Sequence, residues 1–203
     1  MDVTDLQQYL LLHLSPRINN SQRVRLLQAC GSVAGLWRLL ARPVREPFAD
    51  ADLNEAAAGL RRWRLRPPIQ EIERQASLVE KLQLRVISIV DDEYPRLLRA
   101  IPSAPALLYC RGNIQSLTLP QLAIVGSRKA SPAGLRAARE LSGAAAQHGL
   151  AVTSGLAVGI DGEAHQAALS AGGQTVAVMA AGLDSIYPRR HRALADAIAD
   201  QGC

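Results

Sequence analysis

The chain has 203 residues, 48% hydrophobic and 20% charged, with 23 basic side chains against 18 acidic ones and a formal charge of +5. This composition excludes general disorder, because the apolar content can offset the entropy of ordering, and the length allows one or two domains. The three cysteines, Cys30, Cys110 and Cys203, are dispersed and form no CxxC pair, which excludes a zinc ribbon or a disulfide scaffold.

Residues 1–66 read as helical. The N-terminus Met1-Asp2-Val3-Thr4-Asp5 is acidic and lacks the basic-then-apolar order of a signal peptide, so a cytoplasmic setting is expected. Leu6, Tyr9, Leu10, His13 and Leu14 share one helical face. Ser21 is the expected N-cap of a second helix, which Gly31 ends. Val33–Leu40 and Asp52–Trp63 supply two more helices, stopped by Pro43 and by Pro67-Pro68. Short helices joined by glycine and proline turns point to a small module of the helix-hairpin-helix or SAM-like kind. Arg61, Arg62, Arg64 and Arg66 around Trp63 read either as a phosphate-facing patch or as a solvated helix end.

A linking helix is expected over 67–83, with Ile69, Ile72, Ala76, Val79 and Leu82 on one stripe. The period then changes. Leu84–Val90 and Ala106–Cys110 read as strands, separated by an acidic turn and Tyr94-Pro95. From residue 121 strands and helices alternate: strands at 122–125, 150–153 and 175–179, and helices at 132–148, 162–169 and 188–199. This predicts an α/β domain with a parallel sheet, covered on both faces, and ligand contacts at the carboxyl ends of its strands. The uncharged stretch 141–160 carries four glycines, Gly143, Gly149, Gly155 and Gly159, and several polar residues, too broken for a membrane span, and no membrane contact is expected.

Three loops follow the three strands. Gly126-Ser127-Arg128-Lys129-Ala130-Ser131-Pro132 combines a close-approach glycine, a hydroxyl, a guanidinium fork and a capped helix start. It is neither GxGxxG nor GxxxxGK[ST], so no dinucleotide or nucleoside triphosphate is specified. Ser154-Gly155-Leu156-Ala157-Val158-Gly159-Ile160-Asp161 makes a tight turn with Asp161 as the expected helix cap; His165 lies one turn on, giving either a cap with a packed histidine or an Asp–His pair. The third loop, 181–188, leads into Arg189, Arg190 and Arg192 in a helix first turn, where cations oppose the helix dipole and a bound anion would relieve them. Aromatics are only 3% of the chain, which argues against a base-stacking platform. No catalytic constellation, metal-ligand cluster or cofactor motif appears; catalytic residues, metal and cofactor are all expected to be none.

These motifs carry a resemblance. Gly126-Ser127-Arg128 with Ser131 and Gly134, then Ser154-Gly155-Leu156-Ala157 with Gly159-Ile160-Asp161, Ala164-His165, and Gly182-Leu183-Asp184 with Tyr187-Pro188 resemble the DprA/Smf family (DNA-processing protein A) in order and spacing. Asp92, Tyr94-Pro95, Leu98 and the segment Leu107–Asn113 resemble the approach to that family's Rossmann-like domain. The resemblance covers most of the chain from residue 84 and, more weakly, a SAM-like domain at 1–66. It implies a domain order of 1–66 helical SAM-like, 67–83 linker helix, and 84–203 the N-terminal part of a Rossmann-like domain. It implies a cytoplasmic, non-enzymatic protein of natural transformation and DNA uptake, which binds single-stranded DNA, protects it and helps load RecA. Arg128 would be a main phosphate ligand, with Gly126, Ser127 and Lys129 shaping the pocket, Ser154, Gly155 and Gly159 beside it, and Arg189 and Arg190 extending the rim. A homodimer is a further implied partner. The family's domain runs on past residue 203, so a C-terminally truncated chain is expected, with the dimer and RecA contacts in the missing part.

Two other functions stay open on residues alone. One is a Rossmann-like enzyme or nucleotide-binding domain acting on nucleoside monophosphates, which would need a carboxylate such as Asp184 or Glu163 at the rim. The other is a truncated, inactive product.

Overall fold

The computed structural model describes residues 3–203. By packing, the chain divides into two compact units, Met1–Cys110 and Arg111–Cys203.

The first unit is built on five helices: α1 (Val3–His13), α2 (Asn20–Cys30), α3 (Val33–Ala41), α4 (Ala51–Leu65) and α5 (Ile69–Lys81). The helix starts are set by short polar side chains. Asn19, not Ser21, caps α2: its carboxamide oxygen accepts from Gln22 N–H while Gln22 reaches back to Asn19 N–H, a complete capping box. Ser21 is the second residue of the helix, where a hydroxyl cannot cap. Gly31, at φ 72°, closes α2 in the left-handed region. Ser32 and Asp50 cap α3 and α4. Leu26, Leu27, Leu36, Trp37, Leu53, Ala57 and Leu60 form one buried cluster from these three helices.

The strands β1 (Leu84–Ser88) and β2 (Leu107–Arg111) pair with each other, with the four-residue helix α6 (Arg96–Arg99) between them. The sequence pattern groups them with the later βα series. Their packing is with the helices: Val86 shares a cluster with Leu6 and Leu10 of α1 and with Ile72 and Val79 of α5.

The second unit holds a parallel sheet of β3 (Gln121–Ala123), β4 (Ala151–Ser154) and β5 (Thr175–Ala177), in that spatial order. Helices α7 (Pro132–Gln147) and α8 (Ile160–Ser170) make the crossovers, and α9 (Arg192–Gln201) follows β5. Val152 packs with Ala145 and Ala146 of α7 and Ala164 and Ala168 of α8, while Ala177 packs with Ala195 and Ile198 of α9. Register pairs Val152 with Thr175, and Ala177 lies two residues on, so all three helices cover one face. This corrects the expectation of helices on both faces. The strands are added in one direction, so each right-handed crossover returns over the same side. On the opposite face Gln121 reaches the 3₁₀ turn Ile114–Thr118 through the Leu117 carbonyl, while Val125 and Val178 are 74% and 64% exposed.

The cap assignment is open to direct test. Asn19→Ala should cost about 1 kcal/mol and Ser21→Ala less than about 0.5 kcal/mol by denaturant unfolding. Equal costs would show that the Asn19 box does not hold α2.

Candidate anion-binding rim

The three loops leave the same end of the sheet, because the strands are parallel. The first is exposed from Val125 to Lys129. Ser127 Oγ accepts the Lys129 N–H at 3.0 Å, which curls the loop, and Ser131 caps α7 by accepting from Gly134 N–H at 3.2 Å, with Pro132 in the first turn. Gly126 is needed for space, since a Cβ there would lie 2.7 Å from Ile160 Cγ1.

The second loop is locked onto the first. Gly159 has φ 86° and ψ −127°, a conformation for glycine alone, and a Cβ on it would lie 2.2 Å from the Ser127 carbonyl oxygen and 3.0 Å from Arg128 Cα. The next residue, Ile160, donates its N–H to that same Ser127 oxygen at 3.2 Å. The backbone beneath Arg128 therefore rests on the start of α8.

Asp161 does not cap α8; Gly159 occupies the cap position without a side-chain bond. The buried Asp161 carboxylate instead turns back and accepts from Gly155 N–H at 3.2 Å and Ala157 N–H at 3.4 Å. Between these two amides Leu156 is fully buried at φ 58°, a left-handed conformation that is costly for a branched side chain. Gly155 N–H is thus occupied, although its backbone is exposed. Ser154 is buried too, and its hydroxyl donates to the Ile124 carbonyl at 2.6 Å. Both residues, expected beside the ligand, are used to hold the loop.

The third loop carries the second group of cations. Arg189 and Arg190 lie in a 3₁₀ turn, Arg189–His191, and Arg192 is the first residue of α9. Tyr187 and the three arginines are exposed. Arg128, Lys129, Arg189, Arg190 and Arg192 make no ion pair among the described residues, whereas Arg139 pairs with Glu163 at 2.6 Å and Arg111 with Asp196 at 2.8 Å. Glu163, one of two carboxylates that an enzyme would draw on, is thereby engaged. His191 was not among the residues expected at the site, yet its Nδ1 donates to the Leu156 carbonyl at 2.9 Å.

His165 is fully buried and is not bonded to Asp161. The Thr175 hydroxyl donates to the Val152 carbonyl at 2.6 Å, so it accepts from His165 Nδ1–H at 2.7 Å. Burial pushes the His165 imidazole down to about 4. It is a neutral core histidine, and it does not titrate at the rim. No group of three or more His, Cys, Asp or Glu side chains among the described residues is placed to hold a metal, and no helix of those residues is long and apolar enough to cross a membrane.

The helical patch is partly dismantled. Arg61 donates to the carbonyls of Leu40 and Arg45, and the Trp63 indole N–H donates to the Leu11 carbonyl, so both face inward. Arg62, Arg64 and Arg66 remain exposed.

Two outcomes are expected. An unfolded histidine titrates near 6.5, so between pH 6.5 and about 4 the unfolded chain binds the proton that folded His165 refuses. Its contribution is present above pH 6.5 and is lost as pH falls, up to about 3 kcal/mol. His165→Asn should flatten the fall in melting temperature below pH 6.5, and an unchanged slope would assign that fall to other groups. Gly159→Ala should lower stability by about 1–3 kcal/mol in thermal unfolding, through its φ and its clash with Ser127.

The comparisons with known proteins bear on the family and the fold. The family model described as DNA recombination-mediator protein A matches residues 85–203, more than half of the chain. The DNA processing protein DprA of Streptococcus pneumoniae is 44% identical over 111 residues, covering 55% of this chain and 39% of that protein. The Smf protein of Escherichia coli is 40% identical over 135 residues, covering 66% of this chain and 36% of that protein. The chain therefore spans less than half the length of these relatives. The X-ray structure of DprA from Streptococcus pneumoniae superposes with TM-score 0.67 at 30% identity, covering all of this chain and 66% of that one. A structure of DNA processing protein A from Helicobacter pylori, described for its unique single-stranded DNA binding mode, superposes with TM-score 0.53 at 27% identity over 59% of this chain and 53% of that one. With a helical part preceding a parallel α/β sheet, and a family match running through all three rim loops, the chain belongs to the DNA recombination-mediator protein A family, the DprA/Smf family of DNA-processing proteins.

Proposed function

We propose that the rim is a single-stranded DNA site and that the protein acts without bond chemistry. The observation that carries this reading is a set of exposed, unpaired cations on two separate loops, Arg128 and Lys129 on one and Arg189 and Arg190 on the other, over backbone held rigid by Gly159, Ile160 and Asp161. Cations fixed along a rim suit a chain of phosphates more than a single one. The single-stranded DNA binding described for the Helicobacter pylori neighbour supports the same polymer. Arg128 takes a phosphate, Gly126 and Ser127 let it approach, and Lys129, Arg189 and Arg190 extend the track. Ser154, Gly155 and Gly159 serve the site from beneath, by shape.

Membership of the DprA/Smf family supports a wider role. The protein works in the cytoplasm, in DNA uptake and natural transformation, protecting incoming strands and helping to load RecA, and it assembles as a homodimer. On this reading the segment 84–203 is the N-terminal part of a Rossmann-like domain, preceded by a SAM-like helical domain at 1–66 and a linker helix at 67–83.

Fluorescence anisotropy with a labelled oligothymidylate tests the central reading. The logarithm of affinity should fall linearly with the logarithm of salt, by about 0.7 for each phosphate contacted on a single strand. Arg128→Ala should weaken binding to all sequences alike and reduce that slope by about 0.7. Equal affinity for single- and double-stranded DNA, or indifference to Arg128→Ala, overturns the reading. Thermal stabilisation by a nucleoside monophosphate and not by oligonucleotide would favour a nucleotide-acting enzyme instead.

A further inference from the structure

The two groups of cations belong to different loops, and a phosphate track needs them at a fixed separation. Arg128 is already tied to the 155–159 loop through Gly159 and Ile160. His191 supplies the matching tie on the other side. It ends the 3₁₀ turn that carries Arg189 and Arg190, and its Nδ1–H reaches the Leu156 carbonyl at 2.9 Å. Its ring also has a seat: a Cβ on Gly162 would lie 2.6 Å from His191 Cε1 and 3.0 Å from Nε2. Gly162 is inside α8, where an alanine would otherwise be the better helix former. A glycine kept there leaves room for the imidazole.

The turn that receives His191 is itself restrained. Asp161 holds the amides on either side of Leu156, and Leu156 is buried with its backbone left-handed. A carbonyl presented from such a residue has little freedom to follow a moving partner, so it works as an anchor.

We propose that His191 is a positioning residue for nucleic-acid binding: seated over Gly162 and bonded to the Leu156 carbonyl, it sets Arg189 and Arg190 at a fixed place relative to Arg128. This role rests on the single-stranded DNA reading above. His191 need not touch the nucleic acid. Its effect passes through the two arginines.

The test uses the whole chain and a labelled oligothymidylate of about 30 nucleotides, long enough to exceed a typical single-strand site. His191→Ala should weaken binding about tenfold, the cost of one charge-assisted contact. It should also flatten the salt slope by up to about 1.4, two phosphates at about 0.7 each. His191→Asn keeps a donor near the Nδ1 position and should restore most of both. Gly162→Ala should reproduce His191→Ala while keeping or raising the melting temperature, which separates displacement of the ring from loss of the fold. In a background of Arg189→Ala and Arg190→Ala, His191→Ala should change nothing further, because the side chains it positions are gone. Wild-type binding in the His191→Ala and Gly162→Ala variants, or a fresh loss in the arginine-free background, overturns the positioning role alone. Failure of the wild-type chain to bind, or binding indifferent to Arg128→Ala, overturns it together with the single-stranded DNA reading.

Discussion

The close approach of the Gly159 backbone to Ser127 and Arg128 is the constraint on which the rim depends. The two loops meet with their main chains touching, at a distance that excludes any side chain on residue 159. The Ile160 N–H then satisfies the Ser127 carbonyl that this contact would otherwise strand. One glycine and one hydrogen bond thus join two crossovers into a single platform. Gly126 continues the same logic by leaving room for the Ile160 side chain.

The platform divides its polar groups into those that hold and those that are offered. Asp161, Ser154 and the amides of Gly155 and Ala157 satisfy one another or nearby carbonyls. The start of α8 also carries Asp161 and Glu163 in its first turn, and Ile160 N–H is taken by Ser127. These features make α8 a poor place for an anion, since its first donor is occupied and its first turn is negatively charged. What remains available is basic and exposed: Arg128, Lys129, Arg189, Arg190 and Arg192. The net charge of the last 83 residues is nearly balanced, seven basic against six acidic, so the field at the rim comes from placement.

Charge in the helical unit follows a different rule. Its surplus is larger, ten basic residues against six acidic over 1–66. Two of those arginines act as structural donors, Arg23 to the carbonyls of Leu12, His13 and Ser15 and Arg61 to those of Leu40 and Arg45. Counting cations there overstates what a polyanion can reach.

Much of this was legible from the residues. The change from period 3.6 to period 2 marks the strands, and glycine and serine at strand ends mark the loops, because these signals are local. The capped start of α7 and the parallel sheet both followed from order along the chain. Asn19 and Ser21 are equivalent as caps on composition, and only the reach of Gln22 back to Asn19 selects Asn19 as the cap of α2. Asp161 looked like a cap for the same reason, yet its carboxylate points to amides that precede it. His191 gave no signal at all. Its partner Leu156 lies 35 residues away, and its seat on Gly162 exists only once the Arg189–His191 turn and α8 are packed together. The sequence by itself determined which residues carry charge, which can turn and how many crossovers the sheet has. The tertiary structure alone decided which polar groups are spent internally and which face outward, because that choice depends on long-range contacts that no local pattern encodes.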